Sequence, residues 1–244
     1  MFDHVTIRAA DRHASRRFYE TVLSAIGLGP RRSATNHDQW WEFMVAQATD
    51  ERPPTRGVHI AFVTRSRDQV RTFWKAGVDA GYTSDGEPGP RKQYGKDYYG
   101  GFLLDPDGNS AEAVWLGRPR RGPNIVDHVW IRVADLDAAR RFYGAVAPAL
   151  GVKLDGEHPE RFSVRGEDRS FALVRDERPV TEHLHLAFPV GRDEQVREFH
   201  RAAVDAGFAS NGEPGERARY HPGYYAAFAL DPDGNNIEAV NHNR

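Results

Sequence analysis

The feature that most constrains the fold of this chain is an internal repeat. The segment "DHVTIRAADRHASRRFY" at residues 3–19 returns as "DHVWIRVADLDAARRFY" at residues 127–143. The segment "VHIAF" at 58–62 returns as "LHLAF" at 184–188, and "DPDGN" occurs at 105–109 and again at 231–235. Self-similarity at a fixed spacing indicates duplicated structural units. The 244-residue chain is therefore predicted to be a tandem duplication, with halves long enough to bury their own cores.

The segment between the two halves has the composition of a linker. Residues 118–124 read "RPRRGPN", which is rich in proline and arginine and contains glycine. Proline and glycine break regular structure and mark boundaries between folded segments. This pattern predicts a first domain over residues 1–117, a linker over 118–124 and a second domain over 125–244.

Within each half, the pattern of a strand, a helix and then several strands occurs twice. Residues 4–9 alternate between polar and apolar side chains as a strand does, and residues 14–26 carry apolar side chains at helical spacing before Gly27. A second strand over 59–63 precedes a second helix over 68–80 and further strands. The predicted class is α+β, with four βαβββ modules whose curved mixed sheets form a cleft and whose helices pack outside.

Composition and charge exclude several classes of function. The formal net charge is −2, which gives no electrostatic case for binding nucleic acid or an anionic membrane. The chain contains no cysteine, which excludes disulfides, thiolate zinc sites and cysteine nucleophiles. No apolar run approaches the roughly 20 residues of a membrane-spanning helix, and the N-terminal residues lack a secretion signal. We therefore expect a cytoplasmic soluble protein.

Each half carries two histidines and one glutamate on three separate predicted strands. A set of two imidazoles and one carboxylate leaves open coordination positions, as a catalytic divalent metal requires. Taken singly, a histidine that opens a strand is usually a hydrogen-bonded end residue, and a strand glutamate usually faces solvent. Both sets are retained although neighbouring positions have diverged, for example Thr6 against Trp130. The candidate ligands are His4, His59 and Glu112 in the first half and His128, His185 and Glu238 in the second.

Strand alternation suggests which other side chains lie near these histidines. Arg8 is predicted to share a strand face with His4, and Trp130 and Arg132 are predicted to share one with His128. The two arginines could hold a substrate carboxylate, phosphate or phenolate. An arginine that extends past the rim of a cleft into solvent fits the same pattern. Arg8, Trp130 and Arg132 are therefore candidate substrate-binding residues.

A tyrosine pair precedes the last strand of each half. One tyrosine of each pair is expected to face inward, and we take these to be Tyr98 and Tyr224. They are candidate catalytic residues, as hydrogen-bond donors to an oxygen at the metal. Packing in the core is the competing interpretation.

The combination of motifs resembles a known superfamily. The opening "DHV" strand, "RRFY" in the first helix, "HIAF" or "HLAF", and "DPDGNxxEAV" are together similar to the vicinal oxygen chelate superfamily. That superfamily contains glyoxalases, fosfomycin- and bleomycin-resistance proteins and extradiol dioxygenases, and the resemblance covers essentially the whole chain as two tandem units. It implies that the three candidate ligands of each half bind one divalent ion, which could be iron, manganese, zinc or nickel.

The resemblance leaves the fourth ligand and the pairing of modules open. Glyoxalases of this type use a second glutamate, and Glu42 in "WWEFMV" lies near the corresponding position, whereas Ser170 aligns with it in the second half. In single-unit relatives the modules often pair across a dimer. The modules of this chain could pair within halves or between them, in which case His4 or His128 would come from the other half. A homodimer is also compatible with the sequence.

The resemblance implies a divalent-metal-dependent enzyme that acts on a small molecule with adjacent oxygens. The metal would act as a Lewis acid, in a glyoxalase-like lyase or isomerase or in an extradiol-type dioxygenase. The alternative is a binding or resistance protein that sequesters a toxic or antibiotic ligand without turnover. Relatives of that kind commonly lack the metal ligands, so two intact sets favour the enzyme. One working site beside one vestigial site is a third possibility.

Overall fold

A computed structural model describes residues 1–119, 122–156, 158–166 and 169–244 of the chain, so Arg120 and Arg121 of the predicted linker lie outside the described residues. None of the helices in these ranges combines the length and apolarity needed to span a membrane. The four helices are α1 (Arg12–Ser24), α2 (Arg67–Asp79), α3 (Leu136–Leu150) and α4 (Asp193–Asp205). The strands are β1 (His4–Ala9), β2 (Arg32–Ser33), β3 (His37–Trp40), β4 (Phe43–Gln47), β5 (His59–Val63), β6 (Ser84–Pro90), β7 (Tyr99–Leu104), β8 (Ser110–Trp115), β9 (Val126–Arg132), β10 (Lys153–Asp155), β11 (Arg161–Arg165), β12 (Ser170–Val174), β13 (His185–Pro189), β14 (Ser210–Glu216), β15 (Tyr225–Leu230) and β16 (Asn236–Asn241).

The strands of the described residues form two eight-stranded mixed sheets, which confirms the predicted α+β class. The strand orders are β14-β15-β16-β13-β1-β4-β3-β2 and β10-β11-β12-β9-β5-β8-β7-β6. The pairs β5–β8 and β13–β16 are parallel, whereas the hairpins β3–β4, β7–β8, β11–β12 and β15–β16 are antiparallel. Each parallel pair is joined by a crossover that contains a helix, as parallel strands require.

The chain divides into two compact units. The first unit is Thr6–Val129, and the second unit consists of Met1–Val5 together with Trp130–Arg244. The division falls inside β1 and inside β9, so the opening residues of each repeat are grouped with the other repeat. The predicted domain boundaries at residues 117 and 125 stay a prediction.

The aromatic pair of the "RRFY" motif lies in the core of each unit. In the first unit, Phe18 and Tyr19 are fully buried on α1, and the Tyr19 ring makes an edge contact with Phe43 at a centroid distance of 4.7 Å. In the second unit, Phe142 and Tyr143 occupy the same positions on α3, with ring centroids 4.9 Å apart. Asp11 caps the N-terminus of α1, where its side chain accepts hydrogen bonds from two backbone amides. The helix therefore buries one aromatic face against the sheet.

The first aspartate of each "DPDGN" turn is a buried hydrogen-bond acceptor. Asp105 accepts from the Tyr19 hydroxyl at 3.0 Å, from the Asp107 and Asn109 amides at 2.9 and 2.8 Å, and from the Asn109 side chain at 3.1 Å. Burial raises the pKa of Asp105 to about 6, although these donors oppose the shift. The carboxylate thus connects the helix to the turn that precedes β8.

The asparagine of the same turn fixes the neighbouring strand. The Asn109 side-chain oxygen accepts from the Val58 amide at 3.3 Å, and the Asn109 side-chain nitrogen donates to the Thr55 carbonyl at 3.0 Å. Val58 immediately precedes β5, so the turn holds β5 and β8 side by side. In their parallel register His59 pairs with Ser110, two residues before Glu112. Side chains two residues apart on a strand share a face, which brings His59 and Glu112 to the same face.

We predict that Tyr143→Phe lowers the free energy of unfolding by about 1–3 kcal/mol, because it removes a donor from a buried carboxylate. The Tyr143 hydroxyl donates to Asp231 at 3.0 Å, and Asp231 is buried. Urea denaturation followed by circular dichroism measures the change. Tyr220→Phe, at an exposed tyrosine of the same unit, is the control and should change stability by less than about 0.5 kcal/mol. Equal stability of the two variants would contradict a structural role for this bond.

Candidate metal centres

The six candidate ligands form two clusters, each lying within one unit. The first centre consists of His59, Glu112 and His128, and the second centre consists of His4, His185 and Glu238. In each centre, one potential ligand atom from every residue lies within 4.8 Å of the others. The structure therefore brings all six together as potential ligands, but not in the grouping that keeps each set within one repeat.

Strand pairing places the opening histidine of each repeat beside the candidate ligands of the other repeat. His4 lies at the start of β1, which is next to β13, and the Asp3 amide donates to the Ala187 carbonyl at 2.8 Å. His128 lies on β9, which is next to β5, and the Val63 amide donates to the Ile125 carbonyl at 2.8 Å. Modules therefore pair between the repeats, which was one of the two alternatives left open by the sequence.

In the first centre, both imidazoles approach the same carboxylate oxygen. His59 Nε2 lies 3.0 Å and His128 Nε2 lies 3.5 Å from Glu112 Oε2. The opposite nitrogens are also engaged, because His59 Nδ1 lies 3.0 Å from Ser110 Oγ and His128 Nδ1 lies 2.9 Å from Asp127 Oδ2. With a metal bound, a proton on each Nδ1 that is donated to these acceptors would leave the Nε2 lone pair directed into the centre. That is the tautomer a metal ligand needs.

The second centre repeats this convergence with a closer contact between the imidazoles. His185 Nε2 lies 3.0 Å and His4 Nε2 lies 3.6 Å from Glu238 Oε2. The two Nε2 atoms are 2.9 Å apart, and the rings stack at a centroid distance of 4.9 Å. His4 Nδ1 lies 2.8 Å from Asp3 Oδ1, which corresponds to Asp127 in the first centre.

A tyrosine hydroxyl donates to the glutamate of each centre. The Tyr98 hydroxyl lies 2.9 Å from both oxygens of Glu112, and the Tyr224 hydroxyl lies 2.6 Å from Glu238 Oε1. Burial, followed by the charge of the adjacent glutamate, raises the pKa of both tyrosines, so both stay neutral donors. The two tyrosines therefore form hydrogen bonds with candidate ligands in addition to any packing in the core. Their catalytic role stays a prediction.

Burial and the neighbouring imidazoles set the protonation of the first centre. Burial alone raises the pKa of Glu112, but hydrogen bonds from His128 and His59 and their positive charge more than offset this, so the pKa is lowered. Burial lowers the pKa of His128, but Asp127 and Glu112 outweigh it and raise the pKa to about 9. Protonated imidazole thus balances the buried carboxylates, and a cation at the same place would serve that purpose.

The carboxylate of the second centre behaves differently. Burial raises the pKa of Glu238 to about 7, although the charge of His4 and the hydrogen bond from Tyr224 oppose the shift. A buried carboxylate with an elevated pKa lacks full compensation of its charge. A divalent cation between Glu238 and the two imidazoles would supply that compensation.

The donor set of each centre fits a divalent transition metal. Two imidazole nitrogens and one carboxylate oxygen suit iron, manganese, zinc or nickel. Glu112 and Glu238 are 0% and 2% exposed, so the protein shields both carboxylates from water. Residues His59, Glu112 and His128 would hold one ion, and His4, His185 and Glu238 would hold another.

Glu42 lies outside both clusters, contrary to the suggestion that it is a fourth ligand. It occupies the turn between β3 and β4, where Glu42 Oε1 accepts a hydrogen bond from the Val126 amide at 2.7 Å. The hairpin places this side chain against the backbone at the start of β9. Glu42 therefore anchors the strand that carries His128 and contributes no atom to either cluster.

The candidate substrate-binding residues have other contacts in the structure. Arg132 is buried on β9, and its Nε donates to the carboxylate of Asp176 at 3.1 and 3.2 Å. The Arg8 amide donates to Thr55 Oγ1 at 2.9 Å, and the Arg8 side chain is half-buried. Trp130 is half-buried on β9. Substrate binding by Arg8, Trp130 and Arg132 stays a prediction, and for Arg132 it would have to coexist with the ion pair.

Two acceptors that orient the candidate ligands were not predicted from the sequence. Asp3 and Asp127 directly precede His4 and His128 and bond to their Nδ1 atoms. The repeated dipeptide Asp-His at the start of each half is the signal that could have identified them. A histidine preceded in the chain by its own acceptor is hard to recognise, because neighbouring strand residues point to opposite faces.

The exchange of the opening histidines predicts a pattern of metal loss. His4→Gln combined with Glu238→Gln should remove about one equivalent of metal, because both residues belong to the second centre. His4→Gln combined with Glu112→Gln should remove both equivalents, because each centre then loses one ligand. Elemental analysis after equilibrium dialysis against excess metal, with the dialysate as the blank, measures the stoichiometry. If the first double variant lost both equivalents and the second lost only one, each centre would instead take all its ligands from one repeat.

Comparison with known proteins agrees with this architecture. The family model for the Glyoxalase/Bleomycin resistance protein/Dioxygenase superfamily matches residues 1–113 and again 125–239. The crystal structure of glyoxalase I from Zea mays is similar with a TM-score of 0.66 at 20% identity, covering 99% of this chain and 92% of that chain. A mutant of that glyoxalase I gives a TM-score of 0.68 at 19% identity with the same coverage, and at such identities the likeness concerns the fold. No curated protein matches the chain. The chain belongs to the Glyoxalase/Bleomycin resistance protein/Dioxygenase superfamily.

Proposed function

We propose that this protein is a divalent-metal-dependent enzyme that acts on a small molecule with two adjacent oxygens. The observation that carries the proposal is the pair of complete His-His-Glu clusters, in which Nε2, Nε2 and a carboxylate oxygen converge on one point. Three ligands on one side of a metal leave positions open for a chelating substrate and one further ligand. A divalent ion bound there would supply Lewis acidity to two neighbouring substrate oxygens.

The protein's own side chains orient the opening histidine and the glutamate of each centre. Asp3 and Asp127 accept from Nδ1 of His4 and His128, which keeps Nε2 of each available. The tyrosine hydroxyls bond to the glutamates and restrict their rotation. Burial lowers the local dielectric constant, so charge that develops on a substrate near these groups interacts with them more strongly than it would in water.

The donor set favours the oxygen-dependent branch of the superfamily's chemistry. Only three side chains contribute to each cluster within the described residues, and Glu42 is bonded to the Val126 amide. A facial set of two histidines and one carboxylate is typical of non-haem iron(II) oxygenases. We therefore take an extradiol-type cleavage of a catechol as the first candidate reaction.

The lyase or isomerase branch is the second candidate. Its support is the shared fold with glyoxalase I from Zea mays over 99% of this chain. The substrate would then be a 2-oxo compound, in which a carbonyl and a neighbouring oxygen form the chelating pair. Sequestration of a ligand without turnover is disfavoured, because a binding protein has no need for two buried ligand sets.

The remaining partners are proposed from charge and composition. A net charge of −2 supports a small-molecule substrate and gives no basis for nucleic-acid binding. A cytoplasmic location and a homodimer are retained as proposals.

We predict that the protein consumes oxygen with a catechol when it is reconstituted with iron(II), and that Glu112→Gln combined with Glu238→Gln reduces this to the rate of the buffer. The two carboxylates are the negatively charged ligands of the two centres, and their loss should abolish metal retention. An oxygen electrode measures consumption, and the same preparations are assayed with nickel or zinc for isomerisation of a hemithioacetal.

The control for this experiment is Glu87→Gln combined with Glu213→Gln. These glutamates are exposed and occupy corresponding positions of β6 and β14, so their replacement removes the same charge away from the centres. The control variant should keep the activity of the unaltered protein. Isomerisation without oxygen consumption would select the second candidate, and tight catechol binding with no turnover under any metal would overturn the enzyme proposal.

A further inference from the structure

The two centres have the same ligands but different residues behind them. In the first centre, Ser110 Oγ lies 3.0 Å from His59 Nδ1 and donates to Asp85 Oδ2 at 2.7 Å. Because the serine proton is used toward Asp85, the serine oxygen is an acceptor for the proton on Nδ1. A carboxylate, a hydroxyl and an imidazole therefore form a chain that raises the basicity of Nε2.

In the second centre, two amides replace this chain. Asn236 stands where the first repeat has Ser110, and Asn211 stands where it has Asp85. The Asn211 side-chain nitrogen donates to Asn236 Oδ1 at 2.9 Å, which directs the Asn236 nitrogen toward His185 Nδ1. A donor facing Nδ1 puts the ring proton on Nε2, which blocks that nitrogen as a ligand. To ligate, His185 needs both amides to rotate, and no carboxylate then supports it through Asn236.

A second difference concerns the aspartate that orients the opening histidine. Asp3 Oδ2 lies 2.6 Å from His242 Nε2, and His242 Nδ1 lies 2.9 Å from His221 Nε2. The His221 and His242 rings stack with centroids 5.1 Å apart. The carboxylate of Asp3 is thus shared between His4 and His242, which reduces the charge it offers to His4. The corresponding positions of the first repeat are Gly95 and Leu116, so the first repeat has no equivalent of this histidine pair.

We propose that the two centres hold metal unequally, with the first centre binding tightly and the second centre binding weakly and exchangeably. The first difference carries the proposal, because neutral amides behind His185 replace the carboxylate and hydroxyl behind His59, and the sharing of Asp3 with His242 acts in the same direction. Changes in such outer hydrogen-bond partners typically alter metal affinity by about 10–100-fold. The inference rests on the proposed function, since it takes both clusters to be metal centres. Asp85 and Ser110 are positioning residues of the first centre, and Asn211, Asn236 and His242 are those of the second.

Competition with a chromophoric chelator tests this proposal on the full-length protein. Titration of the metal-free protein with zinc or cobalt should resolve two classes of site whose affinities differ by about 10–100-fold. Glu112→Gln should remove the tight class, and Glu238→Gln should remove the weak class. Asp85→Asn should weaken the tight class by about 10-fold or more and leave the weak class unchanged.

A transplant of the outer residues tests the opposite direction. Asn211→Asp combined with Asn236→Ser gives the second centre the aspartate and serine of the first, and it should tighten the weak class by about 10-fold. Asp50→Asn, which removes an exposed charge from the first unit, is the control and should change neither class. Circular dichroism of each variant verifies that it is folded.

The outcomes separate this proposal from the proposed function. Two equal sites, a tight class that belongs to the second centre, or affinities that do not respond to Asp85→Asn and to the transplant would overturn the inequality while leaving two metal centres. If neither centre bound zinc, cobalt, iron, manganese or nickel, the proposed function itself would be overturned.

Discussion

The parallel pairing of two strands within each unit is the constraint on which both centres depend. It brings a histidine from one strand and a glutamate from the next to the same face, as His59 and Glu112 in the first unit. The "DPDGN" turn maintains that pairing, because a buried aspartate bonds to the helix tyrosine and the turn asparagine bonds to the start of the adjacent strand. The helix tyrosine and the "DPDGN" turn, which both belong to repeated motifs, therefore act together to align two strands that carry candidate ligands.

The third candidate ligand comes from outside this local arrangement. Each opening strand, β1 or β9, lies next to the parallel pair of the other repeat and carries an Asp-His dipeptide into that unit. The aspartate orients the imidazole, and the imidazole completes the cluster. Each centre is thus assembled from both repeats, so a change at the start of one repeat acts on the centre whose other two ligands belong to the other repeat.

The two repeats are more alike at the candidate ligands than at the residues around them. Both clusters keep two histidines, one glutamate and a tyrosine that bonds to the glutamate. The next layer has changed from Ser110 and Asp85 to Asn236 and Asn211, and from Leu116 to His242. Because outer hydrogen bonds set ligand basicity and tautomer, equal ligands do not imply equal centres.

The sequence by itself determined the duplication, which follows from its repeated motifs, and the α+β class, which follows from strand and helix periodicity. It also determined the six candidate ligands, which follow from residue chemistry. Only the tertiary structure decided which histidine joins which glutamate. The strands that carry His4 and His128 have nearly the same local pattern, so periodicity cannot distinguish their partners. It also showed that Glu42 bonds to the Val126 amide and that Tyr98 and Tyr224 bond to the glutamates. Such contacts depend on pairing between residues far apart in the chain, which local sequence patterns do not record.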